Sequence, residues 1–440
     1  MITFKLIREF EKSIVENLSK EDLLYWPILK SKLSRKANLQ GVTDYSISRF
    51  GFKDLIYLIL SVFNYSVACI TRRKQTYAVF GALSRVRVSG DVLVDELISP
   101  DILKDSFKFY HNSGDVSVSL PLFISERIVF ENYLVKILIL IYRGLLIFDF
   151  RKTTSENSKL PLIEFALTYF SSDIVRSELD TMMEQFHLSK RAYAFLLSNL
   201  KFDSIYIVSA YTKHPIVNVA HDLFKEVKEV QHGVLSPFHI CYDYSIFKGK
   251  KELKGSILLP DEIIVDNSFW FKNIENSGYA LDVSIKLEGT EKELRSETNN
   301  IIYTDKYFLI TGQGICYQEM SEFIMEILSF FPDIMVYYRP HPRELSVLDN
   351  LIGIVSHSNF RVIGRFDEPD TENLIFQSAA HFSIFSSCHF YAIECLEMTY
   401  VLDWIPNNLM EIVKGKNYVT FVKDANEFKK KYENSSRCNS

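Results

Sequence analysis

A chain of 440 residues is longer than one ordinary core, so two or three domains are expected. Fifty Lys and Arg against 55 Asp and Glu leave a net charge of −5, and no basic stripe offsets it, which excludes a global grip on nucleic acid. The six cysteines, at 69, 241, 316, 388, 395 and 438, form no C-x-x-C pair and have no His at metal-ligand spacing. They read as the reduced thiols of a cytoplasmic protein, with neither a disulfide framework nor a zinc site.

The opening segment, MITFKLIREFEKSIVENLSKEDLL, patterns as an amphipathic helix carrying acids and has no signal-peptide core. Further helix patterns cover 53–70, 130–147 and about 160–199. Leu55–Ile70 has no charge, but is shorter than the ~20 residues of a span. Phe130–Phe150 is interrupted by Glu131, Lys136 and Arg143. Both read as buried helices, and the pattern leaves room for peripheral contact with a membrane. A short β run at Tyr77–Phe80 lies between them.

From Asp203 the pattern becomes an alternation: a buried strand at Ser204–Ser209, a helix at Pro215–Val227, then strands at Glu229–His232 and Glu262–Asp266. Alternation of this kind implies a parallel sheet covered on both faces. The polar stretch 284–305 reads as a linker, which divides the chain into 1–290 and 300–440. Beyond it come strands at Tyr307–Thr311, Asp333–Arg339, Phe360–Ile363, His381–Phe385 and Thr399–Leu402, with helices at 318–330 and 389–398. The expected class is α/β, with two Rossmann-like, doubly wound domains whose ligands sit at the carboxyl ends of the strands.

Three turns in the second half carry candidate chemistry. Tyr338-Arg339-Pro340-His341-Pro342-Arg343 follows a buried strand and holds a His between two prolines, beside two guanidinium groups. Ser386-Ser387 opens the helix that carries Glu394, so hydroxyls and free N–H groups face an anion, though the pair also serves as an ordinary cap. Glu394, two turns on, is placed to accept ribose hydroxyls or to be a solvated helix charge. Thr311-Gly312-Gln313-Gly314 lets backbone approach a ligand but lacks the full dinucleotide spacing. In the first half, Gln231-His232-Gly233 follows a strand, and His232 is either a cleft-facing group or a packed turn residue. The chain has no Asp-x-Asp triplet and no phosphate loop of the G-x-x-x-x-G-K type.

The order of these turns, with His341 ahead of Ser386 and Ser387, resembles the His-Pro and Ser-Ser motifs of bacterial sialyltransferases and polysialyltransferases of capsule and lipopolysaccharide assembly. The resemblance is one of short motifs over about 310–400. It implies a GT-B glycosyltransferase with two domains facing a central cleft: 1–290 on the acceptor side, and 300–440 binding the nucleotide-sugar. It also implies that His341, Ser386 and Ser387 hold the phosphate of a CMP-sugar, that no cofactor or metal is required, and that the acceptor is a glycan or lipid-linked oligosaccharide at the inner face of the cytoplasmic membrane. Those families place an acid in an acidic-acidic-Gly motif, which is missing here. Asp91 after Gly90 stands in for it, with Asp95 one helical turn on, or Asp115 after Gly114. A CMP-Kdo, UDP-hexose or CDP-glycerol transferase stays open, as does a non-catalytic assembly subunit. The helix-rich first 200 residues count against a nucleotide-sugar epimerase.

Overall fold

The computed structural model describes residues 4–14, 20–38, 52–71, 74–82, 86–89, 92–95, 97–111, 128–145, 166, 173–233, 235, 239–247, 257–265, 268–279, 283–287, 306–341, 356–364, 371–394, 398–405 and 408–438. The chain forms two compact units, Met1–Thr290 and Glu291–Ser440.

In the first unit, β1 (Tyr77–Ala82), β4 (Ser106–His111), β5 (Ile128–Phe130), β6 (Ser204–Val208), β7 (Glu226–Val230), β8 (Glu262–Val265) and β9 (Ser284–Leu287) make one parallel sheet in the order β5-β4-β1-β6-β7-β8-β9. A hairpin of β2 (Val86–Ser89) and β3 (Val92–Asp95) is inserted after β1. Counting only the parallel strands in chain order, the sheet reads 3-2-1-4-5-6-7. The chain therefore starts centrally, winds outward one way and returns to wind the other, with its switch point between β1 and β6. Strands buried on both faces need apolar runs, and Ser204-Ile-Tyr-Ile-Val208 is buried throughout. Gly81 is required by packing: a Cβ there would come 2.5 Å from the ring of Tyr110 on β4.

Among the described residues this unit has helices α1 (Phe4–Ile14), α2 (Lys20–Asn38), α3 (Phe52–Thr71), α4 (Pro100–Lys104), α5 (Glu131–Leu145), α6 (Asp173–Ser198), α7 (His214–Asp222) and α8 (Ser268–Asn276). α1 and α2 are tied down by a buried pair, Lys30 Nζ to Glu11 Oε1 at 2.5 Å, with Trp26 Nε1 donating to the same carboxylate at 3.1 Å.

The second unit has β10 (Tyr307–Thr311), β11 (Met335–Arg339), β12 (Phe360–Val362), β13 (Ala380–Ser383), β14 (Thr399–Leu402) and β15 (Val419–Val422), all parallel, in the order β12-β11-β10-β13-β14-β15. This is again 3-2-1-4-5-6, with the switch point between β10 and β13. Its described helices are α9 (Tyr317–Phe330), α10 (Thr371–Gln377), α11 (Cys388–Glu394) and α12 (Ala425–Cys438). One face of the sheet packs Phe308, Phe323, Phe382, Tyr400 and Phe428, with Phe428 4.7 Å from the rings of both Phe382 and Tyr400. The other packs Tyr307, Leu309, Tyr337, Leu374 and Ile375. The doubly wound α/β class read from the alternation is the observed one.

Several boundaries differ. The helix expected over 215–227 ends at Asp222, because Phe224 turns left-handed (φ 54°) and the chain re-enters the sheet as β7 at Glu226. The stretch beginning at 284 opens with β9, an edge strand whose polarity reflects exposure. Asp95 ends a hairpin strand, so the helical spacing expected between it and Asp91 does not exist. Phe130 closes β5, and α5 starts one residue later. α3 is helical as expected but not buried: Leu55, Ile59, Val62, Phe63 and Ile70 are exposed. On α12, Lys429 lies over the Phe330 ring and Lys431 pairs with Glu427 at 2.7 Å.

Candidate functional site

The three turns singled out in the second unit leave three adjacent strands at their carboxyl ends. β11, β10 and β13 are neighbours, and Thr311 pairs in register with Arg339. Gly312 donates its N–H to the Arg339 carbonyl at 2.8 Å, and Ser383 Oγ donates to the Thr311 carbonyl at 2.8 Å. Gly312, Gln313 and Gly314 therefore sit beside the strand carrying Arg339, Pro340 and His341 on one side, and beside the strand leading to Ser386 and Ser387 on the other. The last two flank the switch point.

The turn after β10 needs two left-handed residues, Gly314 (φ 73°) and Cys316 (φ 54°), before α9 can start. Glycine takes that conformation freely and cysteine does so at a cost. Gln313 Nε2 closes the turn on the Gly312 carbonyl at 2.9 Å. Arg339 is buried at 5% exposure, an uncommon place for a guanidinium, while His341 is half-buried. Ser386 Oγ accepts the Cys388 N–H at 3.2 Å, so this hydroxyl already serves as a cap, and Ser387 is half-buried beside it. Pro342 and Arg343 lie outside the described residues, as does the Glu394 side chain.

Beneath these turns is a polar lattice that motif reading missed. His381 Nε2 meets Thr311 Oγ1 at 2.9 Å and its Nδ1 meets Thr399 Oγ1 at 2.8 Å; His389 Nδ1 meets the same Thr399 hydroxyl at 2.6 Å. Burial holds His381 well below the usual imidazole range and His389 down to about 3, so both rings are neutral at physiological pH. They act as fixed cross-links, tying the strand ends of β10 and β14 to β13 and α11. The only sequence signal was polar residues inside strands that otherwise read as apolar.

In the first unit, the corresponding edge is built around the turn after β6. Ser209 is left-handed (φ 60°, ψ 60°), a conformation costing roughly 1–2 kcal/mol for a residue with a Cβ. Its hydroxyl lies 2.8 Å from Nε2 of His232, the group predicted from Gln231-His232-Gly233, which leaves the neighbouring strand β7. Tyr211 stacks near His232 at 6.3 Å between centroids, and His239 meets the Tyr211 ring edge-on at 5.2 Å. Gln231 is buried and donates Nε2 to the Gly233 carbonyl at 3.0 Å, which shapes the turn carrying the histidine.

Glu229 holds this turn in place. It is fully buried on β7, and its carboxylate accepts the Ala210 N–H at 3.0 Å, Tyr242 OH at 2.7 Å and Tyr279 OH at 2.9 Å. Burial pushes its carboxyl up to about 7, against the pull of those three donors. Glu131 lies further along the same edge, at the start of α5 after β5. Its carboxylate takes Lys213 Nζ at 3.2 Å and Tyr193 OH at 2.8 Å, with His111 Nδ1 at 3.7 Å. Burial pushes this carboxyl up, but Lys213, His111 and Tyr193 outweigh it and hold it at about 2. Ser209, Glu229, Glu131, His111 and Lys213 were not anticipated; they are single residues without a motif, and the sheet order alone brings them together.

Of the acids considered, Asp91 and Asp115 lie outside the described residues. Asp95 is buried, and its Oδ1 accepts the N–H of Leu97 at 2.9 Å and of Ile98 at 3.3 Å, which caps the turn after β3.

No family model matches this chain, and no curated protein matches its sequence. Similar solved structures include the UDP-GlcNAc 2-epimerase of Methanocaldococcus jannaschii in complex with UDP-GlcNAc and UDP, at 14% identity and a TM-score of 0.43, covering 82% of this chain and 92% of that one. Anabaena Alr3699/HepE in complex with UDP is similar at 10% identity and a TM-score of 0.41, covering 83% and 91%. TarM follows at 11% identity and 0.35, covering 56% and 51%. All three scores fall below one half, and the chemistry of this chain rests on its own residues.

Proposed function

We propose that this protein is a GT-B glycosyltransferase acting on a nucleotide-sugar donor. In this reading the second unit holds the donor phosphate at its switch point. The observation that carries it is the convergence of the glycine turn, the Arg339–His341 turn and the Ser386–Ser387 turn on three adjacent strand ends. Doubly wound sheets bind ligands at that place, and these residues offer backbone N–H groups, hydroxyls, an imidazole and a guanidinium to an anion.

The reaction exchanges two bonds to one carbon. The acceptor oxygen bonds to the anomeric carbon as the bond from that carbon to the phosphate oxygen breaks. The electron pair leaves with the nucleotide phosphate, and the acceptor proton passes to a base. His232 is assigned that role in preference to Asp91, because Ser209 Oγ at 2.8 Å from its Nε2 fixes the ring, and imidazole is the side chain most often used as a general base. His341, Ser386, Ser387 and the turn around Gln313 stabilise the charge that grows on the phosphate. A phosphate neutralised by protein groups, in a chain without an Asp-x-Asp triplet, suits a monophosphate leaving group. With the motif resemblance, this makes a CMP-linked acidic nine-carbon sugar the proposed donor and a surface glycan the proposed acceptor.

Calorimetric titration of the full chain with CMP, UDP, CDP and GDP in excess EDTA tests the reading. CMP is expected to bind most tightly, and His341→Ala is expected to weaken it. A clear preference for UDP overturns the donor assignment, and no nucleotide binding at all overturns the function.

A further inference from the structure

Helix α3 is inside-out. Its buried side carries Tyr57, Ser61 and Asn64, and the polar pair serves the edge strand β5: Ser61 Oγ accepts the Phe130 N–H at 3.0 Å, and Asn64 Nδ2 donates to the Ile128 carbonyl at 2.8 Å. Those contacts occupy backbone groups that an edge strand would otherwise expose. The outward side carries Leu55, Ile59, Val62, Phe63 and Ile70, with Ile59 59%, Phe63 55% and Ile70 80% exposed. At 100° per residue these five fall within an arc of about 100°, a stripe about 22 Å long. A helix on a water-facing surface shows the opposite arrangement. Leu140 and Ile141 on α5, which packs on α3, and Phe195 on α6, whose carbonyl accepts a hydrogen bond from Tyr65, are exposed apolar residues on the neighbouring helices.

Charge decides what covers it. Among the described residues of α3 the one acid is Asp54, and it is engaged by Tyr133 OH at 2.5 Å. Lys53 and Arg72-Arg73-Lys74 lie next to the stripe in the sequence, Lys74 being paired with Asp203 at 3.0 Å, and Lys136 is exposed on α5. An apolar stripe whose helix carries one engaged acid, with an exposed lysine on the helix packed against it and basic residues next to it in the sequence, is complementary to a bilayer with anionic headgroups. A transmembrane placement would strip α3 from the strand edge that Ser61 and Asn64 complete.

We propose that the outward face of α3, with its neighbours on α5 and α6, seats the protein on an anionic membrane surface, the apolar side chains entering the headgroup boundary and the helix lying in its plane. This stands independently of the proposed reaction.

Flotation with vesicles tests it. The full chain is expected to float with phosphatidylcholine vesicles containing about 30% phosphatidylglycerol, less with phosphatidylcholine alone, and less again as salt is raised. Ile59→Glu with Phe63→Glu is expected to cut the bound fraction about tenfold with an unchanged thermal melt, as both side chains are largely in water. Ile70→Glu, at the most exposed position, repeats the test should the double variant fail to fold. Lys136→Glu is expected to weaken binding to anionic vesicles and leave the residual binding to phosphatidylcholine as it was. Absence of flotation, or flotation of the Glu variants equal to wild type, overturns the proposal. So does a wild-type dimer that these variants disperse without any vesicle binding, which assigns the face to a second copy.

Discussion

Replacing Glu229 with Gln isolates the charge from the shape of the group that holds the Ser209–Ala210 turn. The carboxyl of Glu229 is raised from 4.5 to about 7, so between those values the folded protein binds a proton that the unfolded chain has released. Stability from this group is therefore fully present below 4.5 and is lost as pH rises through about 7. A rise of that size corresponds to about 3 kcal/mol over the whole window. Gln cannot titrate, and its oxygen still accepts the Ala210 N–H, while one tyrosine hydroxyl must turn to accept from the amide. The variant should thus be close to wild type or slightly less stable at pH 5, and should gain on it by about 3 kcal/mol by pH 8. The chain has three tryptophans, two of them (Trp26 and Trp270) in the first unit. Trp404→Phe leaves fluorescence reporting that unit alone, and urea denaturation then gives the two stabilities at each pH. A difference between variant and wild type that stays constant from pH 5 to pH 8 refutes the view that Glu229 is a strained, deprotonating carboxyl.

Glu131 should show the opposite sign: its folded value of about 2 lies below the unfolded 4.5, so its stabilisation is present above 4.5 and fades toward about 2. Glu131→Gln should therefore lose about 3 kcal/mol relative to wild type at pH 7 and much less at pH 3, read from the same unfolding curves. Ser209→Gly removes the left-handed strain and should hold stability within about 1 kcal/mol, whereas Ser209→Val should cost about 2 kcal/mol; both should slow turnover by loosening His232. Ser386→Ala with Ser387→Ala should weaken nucleotide binding by about 1.5–3 kcal/mol per lost bond to the charged phosphate, measured calorimetrically with the fold checked by circular dichroism.

The parallel sheets were legible because their strands are apolar on both faces; Tyr307-Phe-Leu-Ile-Thr311 and Ser204-Ile-Tyr-Ile-Val208 allow no other reading. Short outer strands such as β5, with three residues, and β9, with a polar and exposed face, carry too little pattern to separate from helix starts or linkers. The second-unit turns were legible because proline, glycine and paired serines punctuate the sequence where strands end. The first-unit site was only half legible. His232 has a local signal in its Gln-His-Gly turn, but Ser209 and Glu229 acquire meaning from the β6–β7 register, which pairs Ile207 with Glu229 and is invisible in a linear pattern. The reading of α3 as buried failed for a related reason. Periodicity locates an apolar face, and only the placement of Ser61 and Asn64 against β5 reveals that this face points outward.

The most direct test of the account is donor cleavage by the full chain, comparing wild type with His232→Asn in excess EDTA. Wild type should release CMP from a CMP-linked acidic sugar when a glycan acceptor is present. The variant should bind CMP with unchanged affinity and turn over about a hundredfold or more slowly, since it keeps the phosphate site and loses the proton acceptor. Equal turnover by the variant, or no nucleotide release by wild type from any sugar donor, would contradict it.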